Sequence, residues 1–317
     1  MNLECKILVT GASGMIGSSL LKLLKKNGYK NIISPSSTEL DLRNQNDVKD
    51  FFTTNKPEYI FHLAAIVGGI KVNNEYPAKF IYDNTQMHLN IIKCANDHKV
   101  KKLLFPGSAC TYPKLAKQPI KEESFLSGYL EPTNIAYAAA KINGIIAAQS
   151  YQKQCGLNTI VPMPTNAYGD GDHFDVENCH VIPALINRFY DAKINNKKNI
   201  EIWGSGNIYR EFIYVDDVAS ALLFLMLNYN SSNIINVGTM DEISIKDLAY
   251  KIAQIVGYEG KIEFDISKPD GMKRKCLDSS KIKQMGWHAA TNFDEGLKKT
   301  YQYFLKNIIN QNESGTS

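Results

Sequence analysis

No stretch of this 317-residue chain approaches the ~20 consecutive apolar residues needed to span a bilayer. No signal-peptide pattern precedes its first β-branched run, so a cytoplasmic protein with no membrane partner is expected. Cysteine is sparse and scattered. Cys5, Cys94, Cys110, Cys155, Cys179 and Cys276 contain no CxxC pair, which argues against a disulfide frame and against a zinc site and leaves free thiols. A dominant charge of one sign is also missing. The 36 Lys and Arg against 32 Asp and Glu give a net +4. Only a mild cluster stands out, at Lys268, Lys273, Arg274 and Lys275. Nucleic acid is therefore not an expected partner, whereas a local site for a small anion is compatible with the pattern. There is no internal repeat and no low-complexity segment.

What is present reads as a globular α/β protein. Lys6–Thr10, Asn31–Ser34, Tyr59–Ala64, Lys102–Phe105 and Asn158–Pro162 are short strand-like runs. Helical spacing separates them at Ser18–Asn27, Val48–Thr54, Asn84–Asn96 and Tyr137–Gln152. Strands alternating with helices predict a doubly wound parallel sheet of the Rossmann type. After Pro164 the pattern changes. Residues 170–180 read as a loop, followed by helices at Val181–Ala192, Val215–Leu227, Ser244–Val256 and Asn292–Leu305, with strands at Asn199–Trp203 and Ile234–Val237. The expectation is a cofactor domain from residues 1–166 and about 211–240. A smaller substrate domain is expected from about 167–210 and 241–309, and a disordered tail at 310–317.

Thr10-Gly11-Ala12-Ser13-Gly14-Met15-Ile16-Gly17 follows the first strand and opens a helix. Glycines let backbone approach a pyrophosphate, and the helix N-terminus offers N–H donors and a positive dipole end. Where an acid would select NAD, the second strand ends in Ser34-Pro35-Ser36-Ser37-Thr38. Hydroxyls without an acid favour the 2′-phosphate of NADP(H).

Tyr137-Ala138-Ala139-Ala140-Lys141 is YxxxK, and residues four apart share a helix face. An ammonium beside a phenol is expected to lower its pKa, fitting the Tyr for proton exchange with a carbonyl oxygen. Ser108, after a strand about thirty residues earlier, can bond the same oxygen.

Together these motifs resemble the extended short-chain dehydrogenase/reductase family over nearly the whole chain. The resemblance makes Asp41 and Leu42 adenine contacts, and Leu63, Ala64 and Ala65 a strand end flanking the cofactor ribose. Gly11, Ser13, Gly14, Met15, Ile16, Gly17, Ser36, Ser37 and Pro164 complete the implied cofactor set, with Tyr137 and Lys141. Asp216-Asp217 resembles a late structural motif, and Asp217 is expected to cap the following helix.

More specific stretches resemble the GDP-L-fucose synthase family: Ala65–Ile70 with Asn73-Asn74, Ser108–Pro113, Leu130–Asn134, Pro164–Asn166, His180–Leu185 and Trp203–Gly206. That family epimerises C3 and C5 of a GDP-4-keto-6-deoxy sugar and reduces C4 with NADPH. A C4 ketone acidifies both neighbouring carbons, so inversion needs a base on one face and an acid on the other. Cys110 and His180 match the family's pair. Asn166, His180, Val181, Leu185, Arg188, Trp203, Arg210 and Lys275 match its substrate contacts. Trp203 reads equally as a core residue, and Arg188 as a solvated helix charge. The resemblance also implies a homodimer, packed through helices such as Tyr137–Gln152.

The chain departs from the family at Ala109 and Ile135, where Ser and Glu are common, and at Pro35 and Ser37, where arginines are. These changes keep open a relative that reduces C4 of another GDP-4-keto sugar, such as a heptose, with little epimerisation.

Overall fold

The β-branched runs and the amphipathic stretches between them form regular elements in the expected alternation. In the computed structural model, which describes residues 1–175, 179–268 and 270–309, β1 (Ile7–Thr10), α1 (Met15–Lys26), β2 (Ile32–Ile33), α2 (Gln45–Asn55), β3 (Tyr59–His62), α3 (Ile70–Glu75), α4 (Pro77–Asp97), β4 (Lys102–Leu104), α5 (Ile135–Cys155) and β5 (Thr159–Pro164) come first. Then follow β6 (Asn166–Tyr168), α6 (Val181–Ile194), β7 (Asn199–Trp203), β8 (Tyr209–Tyr214), α7 (Val215–Asn228), β9 (Ile234–Val237), β10 (Glu242–Ser244), α8 (Ile245–Val256), β11 (Lys261–Asp265), β12 (Arg274–Lys275), α9 (Ser280–Gln284) and α10 (Phe293–Phe304). The tail expected to be disordered, 310–317, lies outside the described residues.

The main sheet runs β2-β1-β3-β4-β5-β9 and every pairing is parallel. Its strands are apolar on both faces because helices cover both. Leu8, Ile60, Leu103 and Val161 point into a core with Phe52, Ile91 and Ile145 from α2, α4 and α5. Their neighbours Ile7, Val9, Phe61, Leu104 and Ile160 point the other way, against Leu20 and Leu24 of α1 and Val218 and Leu222 of α7. The period-2 alternation of strand side chains thus builds two cores from one sheet. Strand order reverses between β2-β1 and β3, and ligands of such sheets bind beyond the carboxyl ends of the strands at that switch point.

Beyond β5 a second sheet forms around β8, which pairs with β10 antiparallel and with β6 and β12 in parallel. β7 and β11 pair separately. A third core, with Phe189, Ile202, Leu248, Ile252 and Phe304, lies under these strands. β8 was not anticipated, because Tyr209-Arg210-Glu211 interrupts its apolar pattern. β10 and β12 are too short to leave a periodic signal.

Asp217 differs from expectation. It lies inside the first turn of α7, whose N-cap is Tyr214. Its buried carboxylate instead accepts N–H bonds from Ala290 at 2.8 Å and Thr291 at 3.1 Å, tying the approach to α10 onto α7.

Candidate active site

The glycine turn sits at the sheet's switch point. Gly11 has φ +68, and a Cβ there would lie 2.6 Å from the Ala64 nitrogen, so only glycine fits between β1 and the end of β3. A Cβ on Gly17 would lie 2.1 Å from the Gly11 carbonyl oxygen, which sets how closely α1 approaches the turn. The N-cap of α1, Gly14, makes no side-chain capping bond, and the first turn holds no acid. Among the described residues no capping side chain takes up the amides at this 12-residue helix's start, unlike those of α8 and α10, capped by Ser244 and Asn292. That arrangement fits a dinucleotide pyrophosphate over Ser13 and Gly14, which are exposed, and Met15 and Ile16, which are half-buried. Leu63, Ala64 and Ala65 flank it, half-buried. Asn84 fastens their exit by bonding both backbone groups of Ile66, at 2.8 and 3.1 Å. Pro164 ends β5, half-buried.

Two residues outside the sequence motifs lie where the adenosine ribose is expected. Glu39 folds back so that its carboxylate accepts the Ser36 N–H at 2.7 Å and the Ser36 hydroxyl at 2.8 Å. An acid therefore does face this position, although none lies in the Ser34–Thr38 run; Ser37 is exposed beside it. Arg43 grips Asp41 through Nε at 2.9 Å and Nη2 at 2.8 Å, holding that carboxyl down at about 2. Leu42 is buried in the core.

The candidates Ser108, Tyr137 and Lys141 lie where β4 runs into a short turn and along the start of α5. Ser108 precedes a 3₁₀ turn, Ala109–Thr111, and its hydroxyl accepts the Cys110 N–H at 3.4 Å. The Cys110 thiol donates to the same oxygen at 3.1 Å. Lys141 is buried, donates to the Pro106 carbonyl at 2.9 Å, and lies 4.9 Å above the Phe105 ring. Burial pulls its pKa down to about 8. Tyr137 packs edge-on against Phe80, centroids 6.4 Å apart. Its phenol is pushed up, by burial first and then by the neighbouring Cys110 charge. This corrects the expected depression: burial of the phenol outweighs the charge of Lys141, which points at a backbone carbonyl and is itself desolvated. Tyr137 is held protonated, the form that can donate. Beneath Phe105, Thr10, His62 and His88 form a buried chain at 2.8 and 2.9 Å, and burial pushes His62 down to about 3.

Beyond β5, His180 is exposed at the N-cap of α6, with Nδ1 3.9 Å from the Asp172 carboxylate. That spacing is too long for a hydrogen bond and is an ion pair only where the imidazole is protonated. Asp172 is buried, its second oxygen has no partner among the described residues, and burial raises its pKa. Sequence alone offered no signal for it. Trp203 is 69% exposed, with Lys268 5.5 Å from its ring, so the core alternative for Trp203 is excluded. Arg188 is exposed and donates to the Glu201 carbonyl at 2.8 Å. Arg210 donates to the Tyr209 carbonyl at 2.7 Å and, like Lys275, has its pKa lowered by burial. Arg210 and Lys275 face one another in strand register, and Lys275 also senses the charge of Cys110. Asn166 donates to the Glu211 carbonyl at 2.9 Å. Val181 is half-buried, while Leu185 belongs to the third core.

A doubly wound sheet with an uncapped glycine turn and a Ser-Tyr-Lys group defines a class of nucleotide-cofactor enzymes, and comparison with known proteins agrees. Residues 7–238 match the family model described as the NAD dependent epimerase/dehydratase family, and the chain belongs to that family. Its relatives narrow this further. It is 47% identical to a putative GDP-L-fucose synthase 2 of Arabidopsis thaliana, over 98% of this chain and 94% of that one. It is 44% identical to the GDP-L-fucose synthase of Escherichia coli K12, over 95% and 97%. Among solved structures, a GDP-mannoheptose C4 reductase from Campylobacter jejuni with NADP bound superposes with a TM-score of 0.88 at 35% identity, covering 96% of this chain and 99% of that one. Among the described residues, no helix is long and apolar enough to cross a membrane, and no cluster of His, Cys, Asp and Glu could hold a metal.

Proposed function

We propose that this chain is an NADPH-dependent 3,5-epimerase and 4-reductase that converts GDP-4-keto-6-deoxy-D-mannose to GDP-L-fucose in the cytoplasm, as a homodimer. The observation that carries it is the Cys110 thiol 3.1 Å from the Ser108 hydroxyl, within electrostatic reach of Tyr137 and Lys141. This supports a base for the carbons beside a ketone standing next to the groups that would handle the ketone oxygen. Identity of 44–47% to GDP-L-fucose synthases supports the same reading.

In this scheme Ser108 donates to the C4 oxygen and holds the ketone. The Cys110 thiolate removes the proton from C3 or C5, and the electrons move into the C4 enolate, whose oxygen Ser108 stabilises. His180, beside Asp172, returns a proton from the opposite face and so inverts the carbon. NADPH held over the Gly11–Gly17 turn would supply the hydride to C4. Tyr137 gives its phenolic proton to the C4 oxygen as the alcohol forms, and the nearby Lys141 ammonium stabilises the phenolate left behind. Trp203 stacks on the guanine, and Arg188, Arg210 and Lys275 bind the diphosphate. The part formed by about residues 167–210 and 241–309 is the substrate-binding domain.

A second reading has specific support. The C4 reductase likeness, together with Ala109 and Ile135, fits reduction of a GDP-4-keto-heptose with little inversion. The test is to incubate purified protein with GDP-4-keto-6-deoxy-D-mannose and NADPH in D₂O and follow the sugar by NMR. Deuterium at C3 and C5 of a GDP-fucose product is expected. Reduction of C4 without solvent deuterium at either carbon would leave the reductase reading standing instead.

A further inference from the structure

Glu211 takes no part in the chemistry above, yet its side chain is fully enclosed at 0% exposure. Its two oxygens serve two different segments. Oε1 accepts the Met240 N–H at 2.9 Å and Oε2 accepts the Leu277 N–H at 2.8 Å. Its backbone carbonyl accepts Asn166 Nδ2 at 2.9 Å and the Thr165 hydroxyl at 3.5 Å. One residue of β8 therefore joins β6, the turn after β9 and the exit of β12.

The turn is shaped around the carboxylate. Met240 holds φ +68, a left-handed conformation unfavourable for its side chain. A Cβ on Gly238 would lie 2.1 Å from Glu211 Oε1, so glycine alone admits the carboxylate. A charge-assisted bond to the Met240 amide offsets that strain. The segments held in this way carry three candidate substrate residues: Arg210 precedes Glu211 on β8, Lys275 lies two residues before Leu277, and Asn166 opens β6. β12 is only two residues long, and its pairing sets Lys275 against Arg210. Two like charges in register repel, so this short strand needs an anchor beyond its own ladder.

We propose that Glu211 is a positioning residue for the substrate anion: its carboxylate fixes β12 and the Gly238–Met240 turn against β8, so that Arg210, Lys275 and Asn166 present one preformed face to the diphosphate of a nucleoside-diphosphate sugar. This rests on the substrate reading given above. Preorganisation lowers the cost of ordering these side chains on binding, so its loss appears in substrate affinity and leaves the cofactor cleft unchanged.

The experiment measures GDP binding by calorimetry and KM for NADPH by steady-state kinetics, in wild type, Glu211→Gln, Gly238→Ala and Arg210→Ala. In Glu211→Gln an amide NH₂ would face a backbone N–H. In Gly238→Ala the new methyl displaces the carboxylate while leaving Glu211 in place. Both variants are expected to bind GDP about tenfold or more weakly, with KM for NADPH unchanged and near-UV circular dichroism of the native form. If both bind GDP as wild type does while Arg210→Ala binds it weakly, the diphosphate site stands and the role of Glu211 falls. If Arg210→Ala binds GDP as wild type does, or wild type does not bind it, the substrate reading fails and takes this proposal with it. If GDP affinity and KM for NADPH worsen together, or if neither variant folds, Glu211 serves the fold as a whole and the proposal is overturned.

Discussion

At the scale of single residues, the local motifs carried most of what could be read beforehand. Tyr137 and Lys141 are legible because four residues is one helical turn, and Gly11 because a tight turn demands it. The Tyr137→Phe variant removes the proton donor. C4 reduction should fall about 10²–10⁴-fold, while solvent deuterium exchange at C3 and C5 persists; turnover near wild type would show that another group donates. Lys141 gives a pH prediction. Burial disfavours its ammonium, so it loses its proton near 8 instead of about 10.4. Raising pH through about 8 therefore removes the charge that stabilises the Tyr137 phenolate. The kcat/KM for reduction should decline on the alkaline side with an apparent pKa near that value, and a profile flat to pH 9.5 would contradict it. Glu39 was not legible as a cofactor contact, because it reaches Ser36 only through a turn that the composition does not reveal. Its carboxylate occupies the Ser36 N–H and hydroxyl, the donors that a 2′-phosphate would use. NADPH should still be used better than NADH. Glu39→Ala should widen that preference by freeing the donors and removing the like charge, and a preference that narrows in kinetics with both cofactors would refute the account.

At the scale of elements, the sequence reveals an element in proportion to its length and periodicity. The helix anticipated at Tyr137–Gln152 runs Ile135–Cys155 and stops where Gly156 turns left-handed at φ 74. The one anticipated at Asn84–Asn96 starts earlier, with Pro77 in its first turn, where a missing N–H costs nothing. β1 and β3 are read from their β-branched and aromatic runs alone. β8 is not, since its polar start acquires meaning only from distant partners in β6, β10 and β12. Asp217 shows the same limit. Its sequence neighbourhood suggests a cap, but the carboxylate serves amides more than seventy positions away. Asp217→Ala should leave both amides without their acceptor. A stability loss of about 1–3 kcal/mol is expected in urea unfolding, with activity per folded molecule unchanged; an unaltered midpoint would mean that these bonds add nothing net.

At the scale of the whole molecule, the parallel sheet places the cofactor turn, Ser108 and the start of α5 at one end, and the second sheet carries the cations proposed for the substrate. The homodimer proposed above would form through the outer faces of α4 and α5. Ile135, Ala139, Ile142 and Ile146 recur at helical spacing along α5. The first and last are 51% and 43% exposed, and Ile81 and Tyr82 of α4 are exposed at 43% and 64%. A helix of a monomer ordinarily turns such a stripe inward, and Ala139 allows close approach of a second backbone. Two copies related by a twofold axis would bring α4 and α5 against their equivalents, covering the stripe on both chains at once. Wild-type protein should therefore sediment as a dimer at micromolar concentration. Ile146→Glu would place a charge in the middle of that contact, opposite its own copy, and should yield folded monomer with the circular dichroism of wild type. A wild-type protein that sediments as a monomer, or an Ile146→Glu variant that stays dimeric, would show that the stripe is not where two chains meet.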